Sequence, residues 1–103
     1  MERPPLAMFA DGCREGKLRY TVDAAGRPVF PPRAGLDWAE SAGLGTVYAT
    51  TSAHPRDGEP YDVSLIDLDE GFRMMSTVRG GGEIGMRVRV AFDDDARPVF
   101  EPA

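Results

Sequence analysis

Residues 86–92 alternate without interruption, with Met86, Val88, Val90 and Phe92 on one side and Arg87 and Arg89 on the other. A period of two predicts a strand with one buried and one solvated face. Residues 72–78 repeat the pattern, setting Phe72, Met74, Ser76 and Val78 against Arg73, Met75 and Thr77. GTVYATTSA (45–53) is rich in β-branched residues and reads as a third strand, and RPVF (97–100) as a short one. Residues 61–68 alternate at Val63 and Leu65 and then change phase to Ile66 and Leu68, the signature of a β-bulge. Asp69-Glu70-Gly71 supplies a tight hairpin turn, and DDDA (93–96) another polar turn.

The N-terminal part follows a different period. Leu6, Phe9, Ala10 and Cys13 fall at i, i+3, i+4 and i+7, which predicts a short helix over 4–15, with Pro5 in its first turn and Gly16 at its end. Its apolar stripe docks either on the chain's own domain or on a partner. Residues 18–36 hold three prolines and two glycines, and are expected to form a loop with a short strand at 28–30. Five short strands with turn punctuation then predict a mainly β protein, a five-stranded Greek-key barrel of the OB type. The expected layout is a helical arm at 1–18, a ribbon-derived loop or hairpin at 19–36, and an OB-fold domain at 37–103.

Composition narrows the function classes. With 103 residues, 42% hydrophobic and 28% charged, the chain fits one globular domain. A net charge of -5 disfavours nucleic acid as a partner, because phosphate binding depends on Lys and Arg. A single cysteine, Cys13, permits no internal disulfide and no cysteine-based zinc site. One unpaired thiol, no signal-like N-terminus and no apolar run near the ~20 residues of a membrane span predict a cytoplasmic protein with no membrane partner.

An ordered set of segments resembles a known family. Phe9 with Gly16 and Leu18, FPPR (30–33), LDW (36–38), GLGTVYATT (43–51), PYDVSLIDLDEGFRMMSTV (60–78), EIGMRVRVAF (83–92) and PVFEP (98–102) are similar to the DUF35 proteins of acyl-CoA metabolism. Members of that family combine an N-terminal helix, a zinc ribbon and an OB barrel. In the ribbon, Val22 and Ala25 stand where the family's first cysteine pair would be, Gly26 is kept, and only four residues separate Arg33 from Trp38, so the second knuckle is deleted. No zinc and no tightly bound cofactor are therefore expected. The resemblance implies a non-catalytic accessory subunit that docks on a thiolase-like or hydratase-like enzyme and helps organise its acyl-CoA site. A stand-alone acyl-CoA-binding module is the alternative, single-stranded nucleic-acid binding a more remote one, and a homodimer in the absence of a partner stays open.

Candidate site residues follow from this frame. GGGEIG (80–85) matches a dinucleotide fingerprint in form, but a strand rather than a helix follows it, so it reads as a loop. Cys13 and His54 offer no nucleophile–base constellation, and no catalytic residue is assigned. Arg73, Arg79, Arg87 and Arg89 could line one sheet face if 72–78 paired with 86–92 through the glycine loop. That face would then meet coenzyme A phosphates, an acidic partner or only solvent. Leu6, Phe9, Cys13, Phe30, Pro32, Arg33 and Trp38 are the expected partner contacts. Phe30 and Trp38 either cap the barrel or form an apolar patch with Arg33 at its rim.

Overall fold

The structure, a computed structural model, describes residues 3–103. One helix and eight strands follow one another along the chain: α1 (Pro5–Arg14), β1 (Arg19–Val22), β2 (Pro28–Val29), β3 (Asp37–Glu40), β4 (Leu44–Ala53), β5 (Tyr61–Leu68), β6 (Arg73–Ser76), β7 (Arg87–Phe92) and β8 (Pro98–Pro102). All strand pairs are antiparallel and form two sheets, β2-β1-β3 and β6-β5-β4-β7-β8. The larger sheet curls until its edges meet. Phe100 on β8 donates its N–H to Thr77 C=O at 2.8 Å and accepts Arg79 N–H at 2.7 Å, a parallel bridge beside β6. This is the five-stranded OB architecture expected from the sequence.

The helix ends as its sequence dictates. Gly16 adopts φ +75°, and the bonds Lys17 N–H to Gly12 C=O and Gly16 N–H to Cys13 C=O satisfy the last carbonyls. Beyond it the structure departs from the expected loop: residues 19–40 hold the whole three-stranded sheet. A proline-rich composition concealed these strands because Pro28 sits at an edge, where no ladder donor is needed. β3 pairs with β1 from Arg19↔Glu40 to Val22↔Asp37, so residues 37–40 belong to the small sheet and not to the barrel.

Hydrogen bonds and packing hold this ribbon. Asp23 accepts Ala25 N–H and Arg27 N–H on Oδ1 at 2.9 Å each, while Gly26 at φ +78° closes the turn. The buried Thr21 hydroxyl donates to Val29 C=O at 2.7 Å and accepts Arg33 N–H at 3.2 Å, stitching the Pro-Pro-Arg step onto β1. An aromatic chain then runs from helix to barrel. Phe9 meets Phe30 edge-on at 5.7 Å, Phe30 meets Phe72 at 5.1 Å, and Phe72 stacks on Tyr20 at 4.6 Å. Each such pair adds about 0.5–1.5 kcal/mol beyond its buried area. Leu18, Val47, Ile66, Val78, Val88 and Phe100 complete one core shared by ribbon and barrel.

The expected bulge lies one strand away from its signal. The register runs Val47↔Ile66 and then Ala49↔Leu65, so the extra residue is Tyr48 on β4. β5 itself alternates regularly, burying Ser64, Ile66 and Leu68. Between ribbon and barrel, Glu70 clasps the connection, accepting the Ser41 hydroxyl at 2.7 Å and Ala42 N–H at 2.8 Å.

Candidate functional site

The expected arginines share the outer face of the sheet, but not through a pair of β6 with β7: Arg73, Asp67, Thr46 and Arg87 lie opposite one another in one cross-strand row, Arg89 sits opposite Glu101, and Arg79 reaches the same Glu101. β6 and β7 are not neighbours, because β5 and β4 lie between them in the sheet. The glycine loop therefore crosses the barrel end instead of closing a hairpin. Each guanidinium meets a carboxylate: Arg73 at 2.5 Å from Asp67, Arg79 at 3.4 Å from Glu101, and Arg89 at 3.3 Å from Glu101. Arg87 grips Asp69 with two bonds of 2.8 Å, which hold that carboxyl below its ordinary pKa. An incoming phosphate would have to compete with these internal partners.

The expected partner contacts divide. Leu6 is 67% exposed, Phe9 is half-buried against Phe30, and Phe30 takes the capping role by packing on Phe72. Trp38 and Pro32 are half-buried and Arg33 is exposed. Cys13 is withdrawn from the surface at 3% exposure, and burial raises its thiol pKa against the opposing charge of Arg14. The helix face was read correctly as apolar, but its C-terminal end packs on the chain itself.

Two clusters went unassigned in the sequence. At one end of the barrel, the Asp62 carboxylate collects four donors. Thr50 hydroxyl and Gly82 N–H reach Oδ1 at 3.0 and 2.9 Å, and Ser64 hydroxyl and Val78 N–H reach Oδ2 at 2.7 and 2.9 Å. Burial opposes its charge, yet the four bonds outweigh burial and lower its pKa. A carboxylate so engaged does not act as a general base; it ties the glycine loop to the barrel. Gly82 is needed there, since a Cβ would fall 2.7 Å from Ser64 Oγ.

The second cluster is the outer face of β4, β5 and β6. The pairings Ala49↔Leu65 and Leu65↔Met75 form an apolar row, followed by Thr51↔Val63 and Ala53↔Tyr61. Met75 is 67% exposed and Tyr48 and Tyr61 53% each. Arg73 lies 3.5 Å over the Tyr48 ring while pairing with Asp67, which closes the row with a polar end. Among the described residues no group of three or more His, Cys, Asp or Glu could hold a metal ion, and no helix is long and apolar enough to cross a membrane.

Residues 38–93 match a family described as ChsH2, C-terminal OB-fold domain. The chain is 31% identical over 104 residues to the 3-oxo-4,17-pregnadiene-20-carboxyl-CoA hydratase alpha subunit of Mycobacterium tuberculosis, covering 85% of this chain and 33% of that protein. It is 37% identical over 90 residues to a probable enoyl-CoA hydratase alpha subunit of Thermomonospora curvata, covering 74% and 28%. The chain thus spans only about a third of the length of these relatives. A chain of the solved Ltp2-ChsH2(DUF35) aldolase superposes with a TM-score of 0.78 at 27% identity, over 99% of this chain and 96% of that one. Fold, ordered segments and matched residues lead to one conclusion: the chain belongs to the DUF35 family of OB-fold domains represented by the C-terminal domain of ChsH2.

Proposed function

We propose that this chain is a non-catalytic accessory subunit that docks on an acyl-CoA enzyme and helps organise its acyl-CoA site. The observation that carries the reading is the superposition on a chain of the Ltp2-ChsH2(DUF35) aldolase over nearly its full length. The names of two relatives, a CoA hydratase alpha subunit and a probable enoyl-CoA hydratase alpha subunit, together with that aldolase, support a partner of hydratase or aldolase type. The geometry is consistent with a supporting role, since Asp62 and the four arginines are engaged within the chain. Binding of acyl-CoA by the isolated chain is less favoured, because its phosphates would have to displace those carboxylates.

The test is purification of the tagged chain from its own cells, followed by light scattering on the complex and turnover assays on CoA thioesters. A fixed-stoichiometry complex with an acyl-CoA enzyme is expected, with partner turnover that falls when the chain is removed. Turnover by the isolated chain, or a partner indifferent to its presence, refutes the proposal.

A further inference from the structure

Two grooves on the barrel share one wall. A groove of about 260 Å³ runs over the outer face of the sheet between Ala49, Val63, Leu65 and Met75. A second, of about 720 Å³, follows the seam between β6 and β8 and is lined by Phe9, Phe30, Met74, Met75, Pro98 and Val99. Met75 stands as the ridge between them, and Tyr61 forms one end of the seam groove. The seam exists because the backbone bonds to β8 come from Thr77 and Arg79, beyond β6, and β6 itself adds the Ser76 hydroxyl donating to Pro98 C=O at 3.1 Å, so β6 keeps β5 as its single paired neighbour over 73–76.

The composition of this surface suits a protein. Tyr, Met and Arg are the residue types enriched in interfaces, and the strand 2–3 face is where OB folds bind their ligands. The adjoining segments fix the charge of what fits. The loop 54–60, which leads into Tyr61, and the turn 93–97, whose Asp93 and Arg97 line the seam, carry Asp57, Glu59, Asp93, Asp94 and Asp95 against Arg56 and Arg97. Five carboxylates against two arginines leave a net charge of -3, which repels a polyanion and attracts a basic rim.

We infer that the two grooves astride Met75 are the docking surface for the partner subunit, taking apolar side chains on both sides of the ridge and bordered on the partner by Lys or Arg. This rests on the accessory-subunit reading above. It places the contact on β4, β5, β6 and β8 rather than on Leu6, Arg33 or Trp38.

The experiment uses the acyl-CoA enzyme recovered with the chain at fixed stoichiometry and measures its affinity for purified variants by surface plasmon resonance. Met75→Glu is expected to weaken binding at least tenfold, and Tyr61→Ser severalfold. Asp94→Lys combined with Asp95→Lys slows association and flattens its salt dependence. Ile84→Glu, at an apolar position 75% exposed and outside both grooves, leaves affinity within twofold. Circular dichroism confirms folding, which Met75→Glu tolerates because the side chain is already in water. If wild type binds and Met75→Glu binds equally well, or Ile84→Glu is the variant that fails, the docking surface is refuted while the subunit reading stands. If wild type forms no complex, the subunit reading fails and takes this inference with it.

Discussion

Two turns of this chain are built alike, and only one of them has the residue its backbone prefers. Arg-Pro-Val-Phe occurs at 27–30 and again at 97–100, each time four residues after an aspartate. Asp93 accepts Asp95 N–H and Arg97 N–H at 2.9 Å, as Asp23 accepts Ala25 and Arg27. In both turns the fourth residue donates its N–H to the aspartate carbonyl at 2.9 Å in the left-handed region, Gly26 at φ +78° and Ala96 at φ +59°. An L-residue there costs about 1–2 kcal/mol, of which about 0.4–1 kcal/mol is recovered from a stiffer unfolded chain. A Cβ at Gly26 meets nothing within 4 Å, so strain alone acts there. Gly26→Ala should therefore destabilise by about 1 kcal/mol. Ala96→Gly should stabilise by about 0.5 kcal/mol, trimmed by loss of a half-buried methyl. For a domain of this size those values correspond to Tm shifts of about -4 to -8 °C and about +2 to +4 °C. Thermal melts followed by far-ultraviolet circular dichroism would read both, and the double variant should fall near the sum. A lower Tm for Ala96→Gly, or no change for Gly26→Ala, refutes the argument that positive φ limits these turns.

Two further outcomes are expected. Asp62→Asn leaves Val78 N–H or Gly82 N–H facing an amide donor and should cost about 1–3 kcal/mol in urea denaturation at neutral pH. Because the folded pKa of Asp62 is depressed, its contribution is present above the unfolded carboxylate value of about 3.9 and is lost as pH falls through the lower folded value. The gap between wild type and variant must therefore close in strong acid, and a gap that persists there contradicts the assignment. Phe30→Ala breaks the aromatic chain between helix, ribbon and barrel, so amide exchange over 19–40 should accelerate more than over β4 and β5. Equal acceleration in both would mean the ribbon has no separate anchorage.

The barrel was legible because its inner strands alternate, and the family because its segments occur in order. The ribbon was not, since cysteine loss removed the usual marker of its turn. The working signal was Asp23 with Gly26, a hydrogen-bonded turn that takes over where a metal knuckle would stand. The pairing assumed for the arginine face was wrong for a topological reason, although Arg73 and Arg87 still share one outer row through Asp67 and Thr46. A glycine loop after a strand suggests a hairpin, whereas in this barrel β7 returns beside β4 on the far side of the sheet.

The phase change in residues 61–68 is the most instructive misreading. It predicts a bulge in that strand, yet β5 is regular, with Asp62, Ser64, Ile66 and Leu68 on one side and Tyr61, Val63 and Leu65 on the other. Two signals are superimposed there. Ile66 and Leu68 face the core, while the inner positions nearer the start of the strand are polar because Asp62 and Ser64 hold the glycine loop. Val63 and Leu65 are apolar on the outer side, where core formation gives no reason for it. A strand with one buried face keeps a single phase, so apolar residues that change sides along a regular strand require a second apolar environment. On this barrel the outer positions concerned line the groove beside Met75, which is why the change of phase points to a partner rather than to a defect in the strand.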